Sequence, residues 1–514
     1  MGHNANAVNK TIISLLFIFA MIAASAQGQQ KEKVNWFFGN KAGLTWNKTQ
    51  TVNGLSGLPT PLSGSQMNTG EGCFVLSDPN GILLLYSDGI TIWNGEHEVV
   101  TTDLSGNKSS AQSGIIMPYP GRPGLYFVFA ISLNYDYISL TGEDKGNRLT
   151  YTVVDISQKT PGGNGYGVIY GNYRDVPMAG TSGILGESIS AVRHTNGKDF
   201  WLVAIGKGTT TYMNAWLINS GGVPTNPTNK TSMGSSSIEY ANANGYLRFS
   251  PSGKYYIWPE HTSSKVFLGQ FDPGTGKCLN NKILDDYNMG FYGVEFSPSG
   301  KNLFLSSSFR LRVYQTSVLF NASSPNNASK KEFEMPAGKA SEALQTGPDG
   351  RIYGSLQASA DEMIVIDKVD EYNNYSVNFI KGLFTQGSNS RSGLPNFLSG
   401  TVHAWYYVSI EGKNVLCQDI AESFTVNLSN ITGVGKICWK FGDGTAPVEY
   451  SNVTQSNQSH IYKQSGDYTI DVEILDTSGN VITKASKNVE VNTCTPPLPV
   501  SIPVNPHLRG YYGS

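Results

Sequence analysis

Four turn glycines, Gly197, Gly253, Gly300 and Gly350, recur at spacings of 56, 47 and 50 residues. That recurrence constrains the fold more than any other feature of the chain. Each glycine lies between an apolar strand and an aromatic-rich one. The copies read RHTNGKDFWLVA (193–204), FSPSGKYYIW (249–258), FSPSGKNLFLSS (296–307) and TGPDGRIYGSL (346–356), with earlier versions at LSDPNGILLLYS (76–87) and MPYPGRPGLYFVFA (117–130). Proline presets φ for such a turn, glycine supplies its positive-φ position, and serine bonds the local backbone. The following strand alternates as a half-buried strand should. A period near 50 with two to four strands per unit is the range of propeller blades. The expectation is an all-β chain whose residues 34–407 form a β-propeller of six to eight blades, seven preferred. WFFG (36–39) is expected to close the ring near GLPNFLSGTV (393–402), which removes exposed sheet edges.

A second unit follows over 408–494. In CWKFGDGTAPVEY (438–450), Trp439 and Phe441 alternate inward and Gly442-Asp443-Gly444 makes a tight turn; His460, Tyr462, Gly466 and Tyr468 then lead into an alternating strand. This WxFGDG and HxYxxxGxY pairing resembles the PKD domain. The resemblance implies a seven-stranded immunoglobulin-like sandwich that serves as a spacer or binding module. The chain has five cysteines. A disulfide among Cys417, Cys438 and Cys494 suits an oxidising compartment. The sequence does not fix the pairing, though Cys417–Cys494 would staple the two ends of the unit. The tail, 495–514, carries five prolines and reads as extended unless docked.

Residues 1–28 read as a cleaved signal peptide: Lys10, an apolar run IISLLFIFAMIAA (12–24), then Ser25-Ala26-Gln27-Gly28. The run is shorter than the roughly 20 apolar residues of a spanning helix, and no other stretch is long enough. The mature chain is therefore expected to carry no transmembrane segment. Charged residues make up 15% and the formal net charge is −2, which leaves no electrostatic case for nucleic acid.

Beyond the PKD unit, WFFGNKAGLTW (36–46), GEGCFVLSDPNGILLLYSDGITIWN (70–94) and SGLPNFLSG (392–400) resemble the surface propellers of gliding-type bacteria that use type IX secretion. The resemblance implies an exported protein at the cell surface or in the periplasm, associated with the outer membrane. Its partner would be an outer-membrane or surface protein, or a polysaccharide. These motifs carry over no catalytic residue. The usual C-terminal sorting domain is not expected here, because the chain stops about 20 residues after the PKD unit.

The search for chemistry gives little. Ser87-Asp88-Gly89 and Trp93 have the look of a sialidase Asp-box, but its Ser, Asp and Gly are separated by single residues and these are contiguous. They read as a hairpin turn and an inter-blade anchor. No HExxH, GxSxG or phosphate loop is present. Glu187, Glu239, Glu295 and Glu342 recur through the repeats and could line one propeller mouth, binding a cation or a sugar; the alternative is that they cap backbone amides or are solvated. Asp443 has calcium-ligand chemistry but is expected to bond its own turn. No cofactor is expected, calcium being the one ion left open. Aromatic pairs such as Tyr255-Tyr256, Tyr406-Tyr407 and Tyr511-Tyr512 could stack on sugars, although alternation buries one of each pair. The reading is a non-enzymatic envelope binding or scaffold protein. The rival is a glycan-acting hydrolase or lyase with a carboxylate-lined mouth.

Overall fold

The computed structural model describes residues 31–494 apart from 79–80, 134–148, 182–184, 207–209, 235–243, 263, 286–289, 358–360, 400–406, 430–433, 452–456, 478 and 480. The signal segment, Glu239, Tyr406 and the proline-rich tail with Tyr511-Tyr512 lie outside the described residues. The chain divides into two compact units, residues 1–405 and 406–514.

The first unit is a β-propeller. Among the described residues it carries seven successive antiparallel sheets. The first has three strands, Asn35–Phe38, Ala42–Val52 and Leu55–Pro61. The other six each begin with a run of four strands, opened by Cys73–Ser77, Gly114–Pro118, Leu185–Arg193, Arg248–Phe249, Val294–Phe296 and Ser341–Thr346. Counting only the full sheets gives six; counting the three-stranded one gives seven. The leading strand of each full sheet touches the leading strand of the next, so these strands surround a common axis.

All six Gly-containing turns quoted above join the first and second strands of sheets two to seven. In the turn at 250–253 the Gly253 N–H donates to Ser250 O at 2.8 Å, and Gly300 N–H does the same to Ser297 O at 2.7 Å. Both glycines sit near φ +70°, where a side chain would be strained. The Ser87-Asp88-Gly89 turn is held by Asp88 Oδ1, which accepts the N–H groups of Ile90 and Thr91. Trp93 stacks on Tyr86 at 5.1 Å and joins the core shared with the first sheet.

Alternation buries large aromatic residues between adjacent sheets, with Trp216 packed between the third and fourth and Trp201 and Trp258 between the fourth and fifth. Tyr256 is fully buried while its neighbour Tyr255 packs half-buried on Phe320. The seventh and first sheets meet through Tyr353 against Trp36 and Trp46, and through Arg351 Nη2 donating to Ser56 O at 3.0 Å.

The second unit is a sandwich of a three-stranded and a five-stranded sheet. Among the described residues it has eight strands, where the PKD resemblance implies seven. The leading strand breaks at Gly412: Tyr407–Glu411 pairs with Glu422–Ser429 in one sheet, and Val415–Cys417 pairs in parallel with the last strand in the other. Gly412 has φ +143°, a conformation that lets the chain bend from sheet to sheet. One core contains Trp439, Phe441, Tyr462, Ile470, Val472 and Ile474.

Candidate functional site

The axis of the propeller is where the sequence places its acidic candidates, and the chain itself occupies it. Residues 389–399 leave the seventh sheet and run among the leading strands. Asn40 bridges Asn389, and Trp36 packs on Phe397 at 6.1 Å. The ladder partner of this segment is the second sheet: Pro395 and Asn396 pair in parallel with Cys73 and Phe74.

Asn396 is buried and fully engaged. Its Nδ2 donates to Gly114 O at 2.9 Å and Ile189 O at 3.0 Å. Its Oδ1 accepts from Gln112 Nε2 at 3.1 Å and Arg248 Nη1 at 2.7 Å. One side chain thus ties together the third, fourth and fifth sheets. Ser392 O accepts from Ala343 N–H and Ser355 Oγ of the seventh sheet. Ser399 N–H donates to Ala191 O of the fourth. Gly393 is required by close approach, since a β-carbon there would overlap the Glu71 carbonyl oxygen.

The predicted carboxylates fall into different environments. Glu187 is buried, and its Oε2 accepts the Ala111 N–H at 3.1 Å. Glu295 faces Arg248, with Oε2 3.4 Å from Nε; burial pushes its carboxyl up, opposed by the Arg248 and Lys33 charges. Lys33 Nζ donates to Leu398 O at 3.0 Å, and burial pulls its ammonium down to about 8. Glu342 is pushed up to about 7, first by burial and then by the Glu71 carboxylate beside it. Burial raises Glu71 as well, although Tyr292 Oη donates to its Oε2 at 2.8 Å. The arrangement brings Glu342 to Glu71 and Glu295 to Arg248. Among the described residues no group of three or more His, Cys, Asp or Glu side chains is placed to hold a metal.

Glu71, Tyr292, Arg248 and Asn396 were not singled out from sequence. Glu71 lies in the quoted GEGC, just before a leading strand, and that position was its only signal. Nothing local marks Asn396, whose partners are 148 to 284 residues away.

In the sandwich the motif residues converge. Phe441 stacks on His460 at 3.9 Å and on Trp439 at 5.9 Å. Tyr462 Oη donates to Phe441 O at 3.0 Å and its ring stacks on Tyr468. Asp443 Oδ1 accepts from the N–H and hydroxyl of Thr445, and its Oδ2 lies 2.7 Å from His460 Nε2. Burial opposes ionisation of Asp443, but these hydrogen bonds hold its carboxyl below the usual range. Gly442, Gly444 and Gly466 all take positive φ. A disulfide joins Cys417 and Cys494, whose Cα atoms are 5.4 Å apart, while Cys438 is buried and free.

One protein-family model, described as PKD domain, matches residues 408–491. No curated protein matches the chain. Among solved structures, the extracellular domain of a one-component system from B. thetaiotaomicron is 11% identical over 89% of this chain, with a TM-score of 0.34; the match spans 55% of that domain. A protein described as a 6-phosphogluconolactonase from Bacteroides uniformis is 14% identical, covers 68% of this chain and 96% of the other, and has a TM-score of 0.40. Both likenesses are distant, and no role passes from them to this chain.

Proposed function

We propose that this protein is an exported, non-enzymatic binding or scaffold component of the cell envelope, contacting protein or polysaccharide through its outer surfaces. The observation that supports this reading is the filled axis. The segment 389–399 lies where a propeller would otherwise receive a ligand, and Glu187 and Glu295 are engaged by the protein's own N–H and guanidinium groups. No helix among the described residues is long and apolar enough to cross a membrane. Export through the N-terminal signal segment and placement at the outer membrane, within a type IX-associated assembly, complete the proposal.

The test is cross-linking and pull-down of the tagged mature chain from detergent-solubilised outer membrane. A stoichiometric envelope partner or bound polysaccharide is expected, and recovery of neither sinks the reading. The rival is a glycan-acting enzyme using Glu71 and Glu342, where one carboxyl is pushed up to about 7 beside another. New reducing ends or unsaturated products released from envelope polysaccharide by wild type, and not by Glu342→Gln, would favour it.

A further inference from the structure

Two carboxyls from distant parts of the chain meet at the axial segment. Glu71 precedes the leading strand of the second sheet, and Glu342 lies in the leading strand of the seventh. Their immediate neighbours grip the same residue. Ser392 N–H donates to Gly70 O at 3.1 Å, and Ala343 N–H donates to Ser392 O at 3.2 Å. Gly393 comes next and lies so close to the Glu71 backbone that no β-carbon fits. Leu394 follows, its N–H donating to Tyr246 Oη at 3.1 Å. Tyr246 N–H in turn donates to Tyr292 O, and Tyr292 Oη donates to Glu71 Oε2. Residues 392–394 are therefore seated on the groups that surround the two carboxyls.

That setting offers little compensation for charge. Glu342 is 6% exposed, and its carboxyl has neither a hydrogen bond nor an ion pair among the described residues. A buried carboxylate without a partner is costly, so the protonated form is favoured. Burial acts first on Glu342 and the Glu71 carboxylate second, while Glu71 itself has the Tyr292 hydroxyl to stabilise a charge. The other titratable groups packed here do not neutralise the pair. Burial holds Tyr246, Tyr292 and Cys73 uncharged. His261 meets the Tyr292 ring at 5.6 Å, with its Nδ1 2.9 Å from Gly290 O. Arg248 lies over the Tyr246 ring, but its guanidinium is taken by Glu295, Gln345 and Asn396.

We propose that Glu71 and Glu342 form a proton-operated latch on the axial segment. While Glu342 holds its proton, the carboxyls tolerate each other and residues 392–394 stay seated. When Glu342 gives its proton to solvent, two buried carboxylates lie side by side at Ser392 and Gly393, and their repulsion unseats the segment. The sign follows from the folded-state value of Glu342, raised to about 7: seating is complete in acid and is lost as pH rises through 7. The segment stays anchored on either side, by Asn389 on Asn40 and by Asn396 on Arg248. The latch thus opens the middle of the segment and leaves the ring in place. It regulates access to the axis that the segment fills, and it does not depend on the binding reading above.

The test is hydrogen exchange of the full mature chain between about pH 6 and pH 8, read by mass spectrometry and corrected for the intrinsic pH dependence of amide exchange. Protection of peptides covering 392–394, relative to sandwich peptides, is expected to fall roughly tenfold over this range, as a proton held to about 7 against an ordinary 4.5 requires. Glu342→Gln keeps a neutral side chain at every pH and should abolish the fall, and Glu71→Gln should shrink it. Melting temperature at the acid end shows that each variant is folded, and the wild-type titration needs no variant. Protection that does not change with pH in wild type, a fall of wild-type size in either variant, or a fall spread equally over all the propeller sheets overturns the latch.

Discussion

The propeller and the sandwich solve the same problem at opposite ranges. The sandwich is held by groups close in sequence: Trp439, Phe441 and Asp443 lie within five residues, and His460 and Tyr462 return to them from about 20 residues on. Its ends are joined by the covalent Cys417–Cys494 bond and by the parallel pairing of Val415–Cys417 with the last strand. The propeller is tied by Asn396 and Ser392, whose partners come from sheets spread through the whole unit. Local chemistry builds each sheet, and the ring is tied by the axial segment together with the Tyr353 and Arg351 contacts between the seventh and first sheets. The two units should therefore fail for different reasons.

The largest effect is expected from Gly393→Ala. A β-carbon there overlaps the Glu71 backbone, so the axial segment must leave its place. We expect about 4 kcal/mol or more of destabilisation confined to the propeller, read by calorimetry as the loss of one transition with the sandwich transition kept. The converse comes from reducing the Cys417–Cys494 bond, which closes a separation of 77 residues. That should cost the sandwich about 2–5 kcal/mol and leave the propeller transition in place. Equal shifts in both transitions under either change would erase the contrast.

A third effect is read by pH. Glu342 titrates near 7 in the folded protein against an ordinary 4.5. Its folded-state value is raised, so the stability it contributes is complete below about 4.5 and is lost as pH rises through 7. Glu342→Gln removes this slope. Relative to wild type the variant should gain about 1–3 kcal/mol between pH 5 and pH 8 in the propeller alone; a difference that does not change with pH refutes the assignment. The smallest effect is His460→Ala, which removes a hydrogen-bond partner of Asp443 and the ring stacked on Phe441. About 1–2 kcal/mol is expected from the sandwich, measured by urea denaturation of the full chain.

What the sequence made legible follows the same division. Turn chemistry is local, so Gly197, Gly253, Gly300 and Gly350 announce their hairpins, and WKFGDG announces the sandwich. The axial segment was legible as a place where the ring closes, but its partner was not. WFFG is its neighbour as expected, with Trp36 packed on Phe397, but the backbone ladder forms with Cys73 and Phe74. A two-residue strand inside GLPNF has no periodicity to read. The four recurrent glutamates illustrate the limit for sites. Spacing suggested that they share a mouth, whereas burial and neighbours separate the described ones: an amide for Glu187, a guanidinium for Glu295, a second carboxyl for Glu342.

The axial segment also sets a timetable. The propeller's first sheet begins at Asn35 and the residues that close the ring on it are 389–399. A chain emerging N-terminus first has the strands of all seven sheets behind it before its keystone arrives. Until then the polar groups of Gln112, Ile189 and Arg248 that will meet Asn396 face an unfilled centre. Completion of the ring is thus a late event in the life of each molecule, governed by the slow search that distant contacts require, and the interval before it is when a chaperone would have the most to hold.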